Sequence, residues 1–254
     1  MRIDKEAELD AGRQRPQLSI FLPAYGEAEN LRELLPEIKK VVAGLGIASQ
    51  IVVIDACTPV DNTAAVCKEN GVEYLPRQGG NSYGDAVRTA IRAVSGVYVI
   101  SLDSDGSHNP QFIRELWAQR QAADVVIASR YIPGGVTDNP WILVAMSRLL
   151  NIVFRIFVGI PAYDISNSFR LYQGDLLRKV HPKFVNFDVL EEILVRILWG
   201  DASGAGTVLE IPFRFEQRKH GKPKRKLIVF AIQFVVALVK LTSLRIKNQF
   251  SGEN

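Results

Sequence analysis

Through the first half of the chain, short apolar runs closed by turn-forming residues alternate with stretches whose apolar positions recur at helical spacing. Residues 18–22 read as a buried strand, closed by Pro23. Leu31, Leu34, Leu35, Ile38, Val41 and Val42 then predict a helix over 27–45. Further strands are predicted at 50–54, 72–75, 97–102 and 124–128. Helices are predicted at 63–69, 82–94 and 110–121. Strand–helix alternation with short links implies a mainly parallel sheet flanked by helices, an α/β fold with right-handed crossovers.

The second half reads differently. Residues 141–160 form an apolar helical stretch interrupted only by Ser147, Arg148, Asn151 and Arg155. A helix at 187–199 and a strand at 207–215 follow. Next comes the densest basic run of the chain, residues 218–226, and then 227–241, apolar apart from Gln233 and Lys240. That last stretch falls short of the roughly 20 apolar residues of a membrane span. It suits either a buried helix or one lying in a membrane interface. With no repeat or low-complexity linker, one domain is expected over 18–246, preceded by a disordered segment at 1–17.

Composition narrows the class. Hydrophobic residues make up 47% of the 254 positions and charged ones 23%, which excludes a disordered or coiled-coil chain. Cys57 and Cys67 are too few for a disulfide scaffold and form no C-x-x-C pair. The three histidines, at 108, 181 and 220, exclude a His-rich metal site. The charged N-terminus lacks the apolar stretch of a signal peptide, so a cytosolic, reducing location is expected. The net charge of +4 is modest, and the run at 218–226 suits a solvated loop or a patch for an anionic partner.

Polar residues gather where the predicted strands end, the side on which open parallel sheets bind ligands. Pro23, Tyr25 and Glu27 follow the first strand, Asp55 and Asp61 the second, Asp103, Ser104 and Asp105 the fourth, and Arg130 the fifth. Asp103 and Asp105 can both reach one hard cation, and Mg²⁺ and Mn²⁺ prefer oxygen ligands. The same residues also suit a turn or a helix cap. Arg130, Arg218 and Lys224 are candidate phosphate partners. The Gly-rich segment 77–84 suits either a phosphate-facing turn or a tight strand-to-helix loop, and it lacks the lysine of a P-loop.

Taken in order, these motifs resemble family 2 glycosyltransferases, most closely the dolichol- and polyprenol-phosphate sugar synthases. The resemblance runs over about residues 18–240. It is carried by residues 18–27, Val53-Ile54-Asp55, residues 77–88, Asp103-Ser104-Asp105-Gly106-Ser107-His108, Ser129-Arg130-Tyr131, residues 164–170, and Arg218 with Gly221 and Lys224. It implies a GT-A (Rossmann-like) fold, a nucleotide-diphosphate sugar donor and Mg²⁺ or Mn²⁺. Pro23, Tyr25, Glu27, Asp55 and Ser104 match nucleotide-sugar-binding positions, and Asp103 and Asp105 the metal-binding D-x-D. Arg130, Arg218 and Lys224 match phosphate contacts, and Asp164 an acid near the acceptor. The family usually carries a second acid where this chain has Ala56. It often has an arginine where this chain has Leu143 or Val144, and Arg148 is the candidate substitute.

The implied activity is inverting transfer of a sugar to a polyprenyl phosphate, with Asp103, Asp105, Arg130 and Arg218 as catalytic residues. A phosphate acceptor is already anionic at neutral pH and needs no general base, which fits the scarcity of histidine. The apolar helices then suit peripheral association with the inner face of a membrane, or packing against the sheet, a second subunit or a membrane-protein partner. Nothing points to nucleic acid. The alternatives are transfer to a sugar hydroxyl, with Asp164 as base, and a catalytically silent nucleotide-sugar-binding scaffold.

Overall fold

In the computed structural model, which describes residues 15–200, 206–218 and 236–246, each predicted apolar run of the first half is a strand. These are β1 (Leu18–Pro23), β2 (Ser49–Asp55), β3 (Glu73–Pro76), β4 (Tyr98–Ser101) and β5 (Val125–Ser129). They alternate with α1 (Ala28–Ala43), α2 (Thr63–Asn70), α3 (Tyr83–Ala93) and α4 (Ile113–Ala118). All six residues of β1 are buried, because helices cover both faces of the sheet, and all but Ser19 are apolar. A two-residue β6 (Val136–Thr137) leads into α5 (Trp141–Phe157). The chain continues through β7 (Arg170–Gln173), α6 (Gly174–Lys179), α7 (Val189–Trp199), β8 (Val208–Pro212) and β9 (Arg214–Phe215).

The main sheet has seven strands in the order β3-β2-β1-β4-β7-β5-β8. All neighbours are parallel except β7, which runs antiparallel between β4 and β5. From β1 the chain steps outward to β2 and β3, then returns to place β4 on the other side of β1. The reversal opens a crevice between the carboxyl ends of β1 and β4, the topological switch point at which such sheets bind ligands. One core, including α1, α2 and α4, packs on one face, with Leu31, Leu35, Ile38, Val66 and Leu116 against Leu18, Ile20 and Ile100. The other joins α3, α7 and the end of α5 to Phe21, Val99 and Ile127.

Four expectations need correction. β7 and α6 were not predicted: their few residues show no alternation, and β7 exists through pairing with two distant strands. The strand expected over 207–215 is two strands, because β8 pairs with β5 while β9 leaves the sheet to pair with β6. The apolar helix expected over 141–160 ends at Phe157, and a left-handed Gly159 follows. Residues 15–17 are structured rather than disordered, since Arg15 pairs with Asp175 at 2.9 Å and Gln17 joins the loop before β2; residues 1–14 lie outside the described residues. Of the apolar stretch at 227–241, only the part from 236 is described. It is helical to 246, with Ala237 and Leu241 buried in the core beside α7 and Val236 and Val239 exposed.

α5 is placed unlike the helices that flank the main sheet. Only Asn151 and Phe154 of its 17 residues are buried. Trp141 is 77% exposed, and Leu149, Ile152, Ile156 and Phe157 also lie open. Among the described residues no helix is long and apolar enough to cross a membrane.

Candidate active site

The switch-point crevice is fastened by its own residues. Ser104 Oγ donates to the Pro23 carbonyl at 2.7 Å, tying the turn after β4 to the end of β1. Gly26 takes a φ of 64°, which an L side chain adopts at a cost. The turn it permits brings Glu27 to the start of α1. Tyr25 is exposed under the Arg77 guanidinium, 5.6 Å from its ring centre, whereas Glu27 is buried. Asp61 accepts from the Ala28 and Thr63 backbone N–H groups at 2.8 and 2.9 Å and so ties the first turns of α1 and α2 together.

Asp103 and Asp105 stand at the carboxyl end of β4 with side chains 28% and 25% exposed. The Asp105 Oδ1 accepts from Ser107 N and Oγ at 3.1 and 2.6 Å, which leaves Oδ2 toward the crevice partner Arg218 at 3.6 Å. The Asp103 carboxylate has no hydrogen bond among the described residues; His108 Nε2 lies 3.9 Å away. His108 is fully buried against Phe169, Phe213 and Phe215, and its Nδ1 accepts from the Asp103 N–H at 3.1 Å. Burial pushes its pKa down, and the ring acts as a neutral prop for the D-x-D turn. The donor set is all oxygen and partly solvated. Among the described residues no cluster of three or more His, Cys, Asp or Glu is placed to hold a metal alone. Such a pair suits a hard cation that keeps water or phosphate oxygens in its remaining positions.

Arg218 reaches this crevice from β9, whose continuation is stitched to the D-x-D turn by the Glu216 N–H donating to the Ser107 carbonyl at 3.1 Å. Its Nη2 meets both oxygens of Glu27, at 2.6 and 2.5 Å. Glu27, expected at the nucleotide, is therefore also the anchor of Arg218. Both residues border a cavity of about 380 Å³ over the start of α1. Asp55 is fully buried at the end of β2. Its Oδ2 accepts from the Tyr74 hydroxyl at 3.2 Å, and its pKa is raised, chiefly by burial.

On the other side of β4, Arg130 follows β5 and is held by Asp164. Arg130 N and Nε donate to Asp164 Oδ2 at 2.8 Å each, and Nη2 donates to Oδ1 at 2.7 Å and to Ser166 Oγ at 3.1 Å. Burial works against the charge of Arg130, but Asp164 more than offsets it, so the guanidinium pKa rises. Arg130 and Arg148, with Asn139 and Trp141, border a second cavity of about 500 Å³ at the foot of α5. Gly135 also lines it, and a Cβ there would fall 2.5 Å from the Ser129 carbonyl, so only glycine lets this loop lie on the end of β5. Tyr131 is shared by Arg130 and Arg148, at 4.9 and 5.4 Å.

The fold thus gathers Pro23, Tyr25, Glu27, Asp103, Ser104, Asp105 and Arg218 on one side, and Arg130, Arg148 and Asp164 on the other. Lys224 lies outside the described residues. The Gly-rich segment is a tight loop held by its own contacts. Arg77 spends its guanidinium on the carbonyls of Ala24, Asn81 and Ser82, and Ser82 with Asp85 forms a capping box on α3. Sequence reasoning missed Arg77 as the clasp between the loops after β1 and β3. It also missed Glu210, whose carboxylate accepts from Tyr163 N and Asp164 N.

Comparison with known proteins agrees with this geometry. The profile of glycosyl transferase family 2 matches residues 19–181, and the chain belongs to that family. The polyprenol monophosphomannose synthase of Mycolicibacterium smegmatis is 27% identical over 242 residues, covering 88% of this chain and 89% of the relative. The undecaprenyl-phosphate mannosyltransferase of Micrococcus luteus is 28% identical, covering 80% and 85%. The dolichol-phosphate mannosyltransferase of Pyrococcus furiosus is 29% identical over 83% of this chain but 59% of its own length. Among solved structures, glucosyl-3-phosphoglycerate synthase of Mycobacterium tuberculosis, in complex with Mn²⁺, UDP and glucosyl-3-phosphoglycerate, superposes with a TM-score of 0.67. That match has 19% identity and covers 96% of this chain and 85% of the other. The architecture is the GT-A glycosyltransferase fold.

Proposed function

We propose that the protein transfers a hexose, mannose by the names of its relatives, from a nucleotide-diphosphate sugar to a polyprenyl phosphate at a membrane surface. The observation that carries this reading is the division of the site about β4. Arg218, 3.6 Å from Asp105, borders the first cavity, and Arg130 and Arg148 border the second, which opens at the start of α5 beside the exposed Trp141. Donor phosphates and acceptor phosphate each find cationic partners, with the two carboxylates between them. A divalent cation held by Asp103 and Asp105, Mg²⁺ or Mn²⁺ as in the structural neighbours, would supply positive charge to the leaving diphosphate. Arg218 neutralises the donor phosphates, and Arg130 orients the acceptor phosphate toward the sugar with its charge fixed by Asp164. No proton has to leave the acceptor, so no base is required.

Transfer to a hydroxyl is less well supported. Its candidate base, Asp164, is fully buried with both oxygens engaged by Arg130. Peripheral membrane attachment fits Trp141, Ile152 and Ile156 standing exposed on a helix that also carries Arg148 and Arg155. The test is co-flotation of the full chain with vesicles containing anionic lipid. Wild type is expected to float and Ile152→Glu to remain below; equal behaviour of the two would count against membrane docking through α5.

A further inference from the structure

The grip of Asp164 on Arg130 raises the question of what holds Asp164. Residues 161–168 belong to no helix or strand, yet they present a fully buried carboxylate to a guanidinium whose side chain is 10% exposed. Several side chains pin this loop. Asn151 of α5 accepts from Ile165 N at 3.2 Å, Asn167 donates to the Ala128 carbonyl, Arg170 donates to the Ile165 and Asn167 carbonyls, Ser101 donates to the Ser168 carbonyl, and Glu210 of β8 accepts from Tyr163 N at 2.7 Å and Asp164 N at 2.8 Å. Arg170 and Glu210 are the charged residues of this set, and of the set only Glu210 bonds Asp164 itself. It stands on β8 in register with Ile127 of β5, three residues before Arg130, so the carboxylate lies on the strand beside the one that leads into the arginine.

We propose that Glu210 is a positioning residue for phosphate binding by Arg130. Its two oxygens orient the two successive peptides on either side of Tyr163. That orientation gives Asp164 its two-oxygen hold on Arg130 and leaves Nη1 as the side-chain nitrogen of Arg130 with no hydrogen bond among the described residues. Glu210 touches neither Arg130 nor the second cavity and acts only through Asp164. A carboxylate suits the task because two converging N–H groups need two acceptors, and a carboxamide would turn its own N–H₂ against one of them. The inference rests on the reading of Arg130 as the acceptor-phosphate ligand.

The experiment is titration calorimetry of the full chain with farnesyl phosphate, paired with steady-state kinetics using the same compound as acceptor. Glu210→Gln is expected to weaken farnesyl phosphate binding and raise its KM about tenfold, below the hundredfold that a 1 Å misplacement can cause. The donor KM should not move. In an Arg130→Met background the same substitution should have no further effect on affinity, because the two residues act in series. A purely architectural glutamate would lower Tm and active fraction and leave the acceptor KM alone, and that result overturns the proposal. So does an additive effect in the Arg130→Met background. If Glu210→Gln does not fold, Glu210→Asp, which keeps the charge but shortens the reach, is read by the same criteria. Wild type that binds farnesyl phosphate without glycosylating it would remove the proposed function and leave the positioning role to be decided by the affinities. Wild type that does not bind it overturns both.

Discussion

Replacing Asp164 by asparagine separates an ion-pair partner from a catalytic base. In the native chain Asp164 is 0% exposed and the Arg130 side chain 10%, so water screens little of their interaction. Three N–H groups of Arg130 converge on the two oxygens. Asparagine keeps one acceptor, turns an amide donor toward the guanidinium and leaves a buried cation without its counter-ion. Breaking a buried pair from one side costs about 3–5 kcal/mol. In a chain of this size that corresponds to a fall in Tm of roughly 10 °C. The assay is urea and thermal unfolding of Asp164→Asn beside the double variant Arg130→Met/Asp164→Leu, which removes both charges and should lose less than the single variant. An Asp164→Asn protein within about 1 kcal/mol of wild type, well folded and inactive, would refute this reasoning and restore Asp164 as a base.

Other expectations follow from the same geometry. Asp103→Asn and Asp105→Asn should each lower kcat by about 10²–10³-fold at saturating metal with little change in Tm, since both side chains are partly exposed and unburdened by packing. Arg218→Gln should reduce turnover yet bind Mn²⁺ more tightly in the absence of nucleotide, as read by paramagnetic resonance, because it removes a cation 3.6 Å from Asp105. Burial raises the pKa of Asp188, ahead of α7. The sign follows: its stabilising share is present below the unfolded value near 3.8 and is lost as pH rises through the folded value. Asp188→Asn should therefore gain Tm over wild type at pH 7, and thermal scans should show that gain shrinking toward pH 4.

Much of this was legible because the first half of the chain is a local code. β1 and β2 carry the short apolar runs Ile20-Phe21-Leu22 and Ile51-Val52-Val53-Ile54, α1 repeats Leu31, Leu34, Leu35 and Ile38 on one face, and the polar ends of the strands spell out the crevice. β7 could not be read so. Its four residues become a strand only because β4 and β5 leave an antiparallel gap between them. The same limit applies to the site. Asp103 and Asp105 are neighbours in sequence and announce themselves. Arg130 and Asp164 are 34 positions apart and Glu27 and Arg218 are 191 apart, and no spacing foretold either pair. Glu210 lay hidden inside a strand, where a charged residue ordinarily signals a solvated face rather than a bond to a buried loop.

The most direct test of the account is label transfer. Purified protein is given a radiolabelled nucleotide-diphosphate mannose, polyprenyl phosphate in detergent, and Mg²⁺ or Mn²⁺. The account predicts label in the organic phase, abolished by EDTA and by Arg130→Met. Label that stays out of the lipid, with nucleotide released onto a soluble hydroxyl acceptor, would contradict it.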